Sequence, residues 1–164
     1  MNRFLLLLLF LISPVISFAG GSVLAYLDGK PVTYEDIKEY VSQLPGEKYK
    51  KMLETRDGLK KLVNYYIDRK IILEEAKKAV SKKEGVLRSH SGLDQDAAYI
   101  IAYLTKEINE RVEINQDEVK AYAKEKGISE QKAYAELLSR KRRELFEKLL
   151  AKLKKKHKIE VLIK

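Results

Sequence analysis

Apolar positions recur along most of this chain with the period of an α-helix, most densely between residues 58 and 81. There Leu62, Tyr66, Leu73, Ala76 and Val80 form one line, and Leu59, Val63, Ile67 and Ile71 form a second beside it. Two lines exceed the single stripe that a surface helix needs, so the spacing predicts a long central helix covered from two sides. Its remaining face carries Glu74 and Glu75 three or four residues ahead of Lys77 and Lys78, a lightly cross-paired solvent side.

Residues 23–27 are β-prone, and Asp28-Gly29 has the chemistry of a tight hairpin turn. Pro31 confines the return arm to a sheet edge. Thr33 with Asp36 can cap a helix over 34–44, with Ile37, Tyr40, Val41 and Leu44 on its buried side and Pro45-Gly46 as its stop. A short basic helix follows at 47–54. Residues 82–92 lack an apolar period and read as a mobile loop. From Leu93 onward Ala97, Ile101, Leu104, Ile108 and Val112 make a helical stripe, with Tyr99 and Tyr103 to one side of it.

Asn115 and Glu118 have the spacing of a capping box for a helix that ends at Gly127. Ser129 caps the last helix, predicted to run to about residue 156, with Tyr134, Leu138, Leu145, Leu149 and Leu153 inward. Lys141, Arg142, Arg143, Lys148, Lys152 and Lys155 form its basic outer surface. Residues 159–163 alternate as a strand. A lone strand leaves its backbone groups unpaired, so the two β-prone ends are expected to pair with each other. The fold class is therefore mainly α: a multi-helix domain closed by a small β-sheet of N- and C-terminal strands.

The first residues change the setting. Arg3, an apolar run over 4–12 and the small residues Ser17 and Ala19 have the three parts of a secretory signal peptide, too short to anchor stably in a bilayer. Residues 1–19 are read as the leader and 20–164 as one domain, soluble and extracytoplasmic (periplasmic) once cleaved. The chain has no cysteine, so neither disulfides nor a lipidated cysteine enter. Its formal net charge is +9. Export disfavours nucleic acid as the polyanion attracted, which leaves anionic membrane surface, acidic polymers or acidic polypeptide as candidates. Paired termini would also allow two copies to exchange end strands, so a homodimer is left open.

Candidate chemistry is sparse. His90 and His157 have no partner at metal spacing and read as solvated side chains; no carboxylate pair, nucleophile or phosphate loop stands out, so neither catalysis nor a cofactor is expected. What remains is tyrosine: ten, with no tryptophan. Tyrosine offers apolar area with a polar tip at low conformational cost, which suits binding of unfolded peptide. Tyr40, Tyr65, Tyr99 and Tyr103 are the candidates for exposed peptide-binding positions.

Residues 23–36, running from the β-prone opening through Asp28-Gly29 and Pro31 to Thr33 and Asp36, resemble the start of SurA/PrsA-type exported chaperones, with Asp28 where that family usually carries asparagine. Residues 62–78 are similar to the family's core helix, 115–122 to its segment ending in tyrosine, and 152–163 to its closing basic helix and strand. In many relatives a parvulin prolyl isomerase domain follows that tyrosine. Here only 123–128 separate Tyr122 from the last helix, so the resemblance is to the chaperone module alone. It implies an ATP-independent holdase for unfolded outer-membrane or secreted proteins, without isomerase activity. The alternatives are a basic adaptor docking one envelope partner and, more remotely, a cryptic prolyl isomerase.

Overall fold

The computed structural model describes residues 21–84 and 94–163; the segment read as a leader at 1–19, His90 and most of the loop read at 82–92 lie outside the described residues. Among the described residues the order is β1 (Val23–Leu27), β2 (Lys30–Thr33), α1 (Tyr34–Ser42), α2 (Glu47–Met52), α3 (Arg56–Ala79), α4 (Gln95–Glu107), a 3₁₀ turn (Asn109–Arg111), α5 (Gln116–Lys126), α6 (Glu130–Lys154) and β3 (Ile159–Val161). The sheet has the order β2-β1-β3, antiparallel throughout, with Tyr26 opposite both Pro31 and Glu160. The ends do pair, and the N-terminal strand is the central one.

Asp28 (φ 51°) and Gly29 (φ 78°) both take positive φ, as a two-residue hairpin turn with the strands' own twist requires. Asp28 also ties the chain's ends. Its N–H donates to Lys158 O at 2.8 Å, and its Oδ1 accepts from Lys158 N at 2.7 Å. Its Oδ2 lies 2.7 Å from Nδ1 of His157. An ionised carboxylate can only accept, so Nδ1 carries the proton. His157 is thus not solvated: its side chain is 6% exposed, because it packs under this turn instead of trailing from the lysine run.

Local capping starts the helices. At α1 the reciprocal box forms, with Asp36 N donating to Thr33 Oγ1 at 3.2 Å and Thr33 N to Asp36 Oδ2 at 2.7 Å. At α5 the expected box gives way to a simple cap: Asn115 accepts from Asp117 N, two residues on, while Glu118 turns away to Lys141, 2.6 Å distant. A cationic partner outcompetes a cap whose backbone donor water can satisfy.

The main core gathers around α3. Leu62, Val63, Ile67, Ile71 and Ala76 are buried, joined by Ala25, Ile37, Val41 and Leu153 from the elements around it. Each aliphatic side chain so buried contributes about 1.5–3 kcal/mol. A second, smaller cluster of Val119, Ala123, Ala133 and Leu137 joins α5 to the start of α6. There the inward face of α6 lies one position earlier than expected: Ala133 and Leu137 are buried and Tyr134 is exposed, because the close partner is α5 and small Ala133 lets it approach.

Gly58, in the first turn of α3, allows α2 to end against it. A Cβ there would sit 2.7 Å from Met52 Cα and collide with the Met52 carbonyl. Gly58→Ala is expected to destabilise the chain by about 1–3 kcal/mol in urea unfolding despite alanine's better helix propensity, since backbone must give way. The hydrogen bond from His157, then that from Lys158 N, hold the Asp28 carboxyl below its ordinary value of 3.8. A depressed carboxylate stabilises above its unfolded-state value and loses that contribution as pH falls through its folded value. Asp28→Asn should therefore lower Tm at neutral pH, with the gap to wild type closing as pH falls below the aspartate range; thermal melts across pH check this.

Candidate functional site

The ends and sides of α1 to α4 and the middle of α6 leave a groove of about 620 Å³. Tyr40 and Leu44 enter it from α1 and the turn after it, Tyr49 from α2, Tyr65 and Ile72 from α3, Ala97, Ile101 and Leu104 from α4, and Phe146 from α6. Tyr65 is 47% exposed and Ile101 39%, the largest apolar side chains open to solvent in this part of the fold. Such a size and lining fall in the range of sites that enclose several side-chain-sized groups.

Two of the four candidate tyrosines meet here. Tyr40 is half-buried and stacks edge-on to Tyr66 at 5.6 Å, and its burial pushes the phenol pKa up. Tyr99 and Tyr103, expected to be open to solvent, are 6% exposed each and belong to the core. The cause lies in Ala98 and Ala102, buried small residues that bring α4 close to α3 and roll Tyr99 and Tyr103 inward with them. The same roll turns Ile101 outward and leaves Ala97 and Leu104 half-buried, so these three positions of a stripe that reads as a core face line the groove, while Ile108 of that stripe is buried as expected. Burial pushes the Tyr103 phenol up too.

Polar groups sit among these apolar ones. Arg69 Nη2 lies 4.0 Å from Asp94 Oδ1. Lys154 Nζ and Asp68 Oδ1 form an ion pair at 2.6 Å. A neighbouring cleft of about 290 Å³ shares Tyr40 and Arg69 but is walled by Asp36, Glu39, Lys70 and Asp96. Its charged walls hold water well, which leaves the larger apolar groove as the surface that gains most from being covered.

The basic surface divides. Lys141 is not a free cation: it bonds Glu118 Oε2 at 2.6 Å and the Glu113 carbonyl at 3.1 Å, strapping α6 to the start of α5. Arg142, Arg143, Lys148, Lys152 and Lys155 are exposed, and among the described residues no carboxylate lies within ion-pair distance of them. Arg142 and Arg143 occupy the turn just before Phe146, beside the groove.

Sequence reasoning missed Tyr49, Phe146, Ile101 and Leu104 as site residues. Phe146 had a signal, since it breaks the leucine line of α6 by one position. Among the described residues no helix is long and apolar enough to cross a membrane, and no group of three His, Asp or Glu is placed to hold a metal ion. No family model, curated protein or solved structure matches the chain.

The groove wall and the core are separable by mutation. Ile101→Ser should cost less than about 1 kcal/mol of stability and Tyr103→Ala about 3 kcal/mol or more, as read by urea unfolding.

Proposed function

We propose that this chain is an ATP-independent, extracytoplasmic holdase that binds unfolded outer-membrane or secreted polypeptides in the groove between α1, α2, α3, α4 and α6. The observation that carries the reading is the apolar groove itself, in which Tyr65 and Ile101 stay open to solvent although the chain has the means to bury such residues elsewhere. Isolated exposed apolar residues need no explanation; a continuous set from five helices does. Client side chains would gain about 25 cal/mol for each Å² of apolar surface covered, and tyrosine walls adapt to many sequences. The resemblance of residues 23–36, 62–78, 115–122 and 152–163 to SurA/PrsA-type chaperones, and the leader-like opening, support the same reading. No reaction is assigned to the chain, and the isomerase reading has no residue to support it.

A second reading has its own observation. Four cations on α6 and Lys155 just past its end, with no carboxylate within ion-pair distance among the described residues, suit docking on one acidic partner or an anionic membrane surface. Salt separates the two, because apolar contacts survive ionic strength that screens exposed charges. The chain should suppress aggregation of an unfolded outer-membrane protein at stoichiometric amounts, without nucleotide, up to about 0.5 M salt, where the Debye length is only a few Å. Tyr65→Ser with Ile101→Ser should lower that protection several-fold while the fold persists by circular dichroism. Protection that vanishes with salt, or that ignores both substitutions, assigns the activity to the basic surface instead.

A further inference from the structure

β3 lies at the sheet's outer edge, beside β1, and the ladder fixes which way its backbone groups face. Asp28 N donates to Lys158 O at 2.8 Å, Leu162 N donates to Leu24 O at 2.9 Å, and Glu160 stands opposite Tyr26. Residues 158, 160 and 162 therefore turn their N–H and C=O toward β1. By the two-residue period of a strand, those of Ile159, Val161 and Ile163 face away. Among the described residues, no backbone group bonds to them.

The other edge is closed. Pro31 on β2 stands opposite Tyr26, whose own backbone groups face β3, so the proline nitrogen lies on the outward side of β2 and removes a donor where a further strand would need one. Sheets commonly guard their edges with proline in this way, and β3 has none.

We infer that the outer edge of β3 accepts an added strand from an extended polypeptide carrying carboxylates beside a short apolar stretch. Its side chains define the preference. Leu162 is 41% exposed on the open face of the sheet, offering apolar contact, while Lys158 on that face and Lys155 just before it are exposed, with no carboxylate within ion-pair distance among the described residues; exposed Glu160, between Lys158 and Leu162, confines a partner's carboxylates to the lysine end. Few registers suit a second copy. Antiparallel pairing about Val161 sets Lys158 against residue 164, also lysine, and pairing about Glu160 sets that carboxylate against itself, whereas pairing about Leu162 sets Glu160 against Lys164 and is the register that the dimer outcome below tests; like charges directly opposite destabilise a ladder. The ligand class is shared with the proposed function, but the surface and the source of affinity differ: backbone hydrogen bonds rather than buried side chains.

The probe is a synthetic peptide alternating valine and threonine with two aspartates at one end, labelled for fluorescence anisotropy and titrated with the purified full chain. Two further peptides carry N-methyl groups on one or the other alternate set of residues. One methylated set should weaken binding about fivefold to tenfold, the effect of losing one or two backbone hydrogen bonds, and the other should leave it unchanged. Val161→Pro removes an outward donor without touching the β1 ladder and should weaken binding to the same extent, with Val161→Ala within about twofold of wild type. Tyr65→Ser, which tests the groove, should leave this peptide's affinity unchanged, so the two surfaces fail or stand separately. Equal binding of all three peptides, no binding of the parent peptide, or full affinity in a folded Val161→Pro chain would overturn the inference. So would a wild-type dimer that Val161→Pro dissociates, since the edge would then belong to a second copy.

Discussion

A helix with two apolar lines cannot be stabilised by one neighbour, and the arrangement of this protein follows from meeting that requirement for α3. Leu62, Val63 and Ile71 are wholly excluded from solvent, which takes contact from the hairpin and α1 on one flank, α4 on another and the end of α6 on a third. Helices converging on one axis from several directions do not tile the space between them. The groove holding Tyr65 and Ile101 is the gap that remains where α1, α4 and the middle of α6 meet. Its walls are apolar because they are the margins of helix faces whose centres are core.

Most of the fold is legible in the sequence where the signal is local. The two lines of α3, the Thr33–Asp36 box, the Asp28-Gly29 turn and the pairing of the end strands all follow from periodicity, capping chemistry and the need to satisfy backbone groups. The readings that fail depend on which neighbour a helix meets. On α4 the larger aliphatic stripe looks like the buried one, yet two alanines set the line of closest approach and draw the tyrosines in instead. On α6 the inward face follows α5 at one end and α3 at the other, a change that no single period along the helix encodes. Half of the tyrosine site was visible for the same reason: Tyr40 and Tyr65 sit where their own helices leave them, and Tyr99 and Tyr103 go where alanine packing sends them.

The lysines show how a basic coat is also structural. Lys154 reaches Asp68, Lys156 reaches Glu75 at 2.9 Å, and Lys141 reaches Glu118, each joining α6 or its end to another helix. The Lys156 hydrogen bond is the main cause of the lowered Glu75 pKa. Partly exposed pairs of this kind contribute up to about 1 kcal/mol each. Their greater effect is on direction: a long helix held by leucines alone could rotate about its axis, and charged ties at its middle and its C-terminal end oppose that.

The central place of β1 governs the order in which this chain can fold. Residues 23–27 hydrogen-bond to β2 within a few residues of their own position, but their other edge meets residues that come about 130 positions later. A hairpin of two short strands is marginal in isolation. Until residue 161 has been made, then, the first strand waits half-paired, and closing so long a loop is the slow kind of contact that limits folding rate. The last few residues of the ladder act as a latch: a nascent or truncated chain can assemble its helices around α3 and still lack a finished sheet.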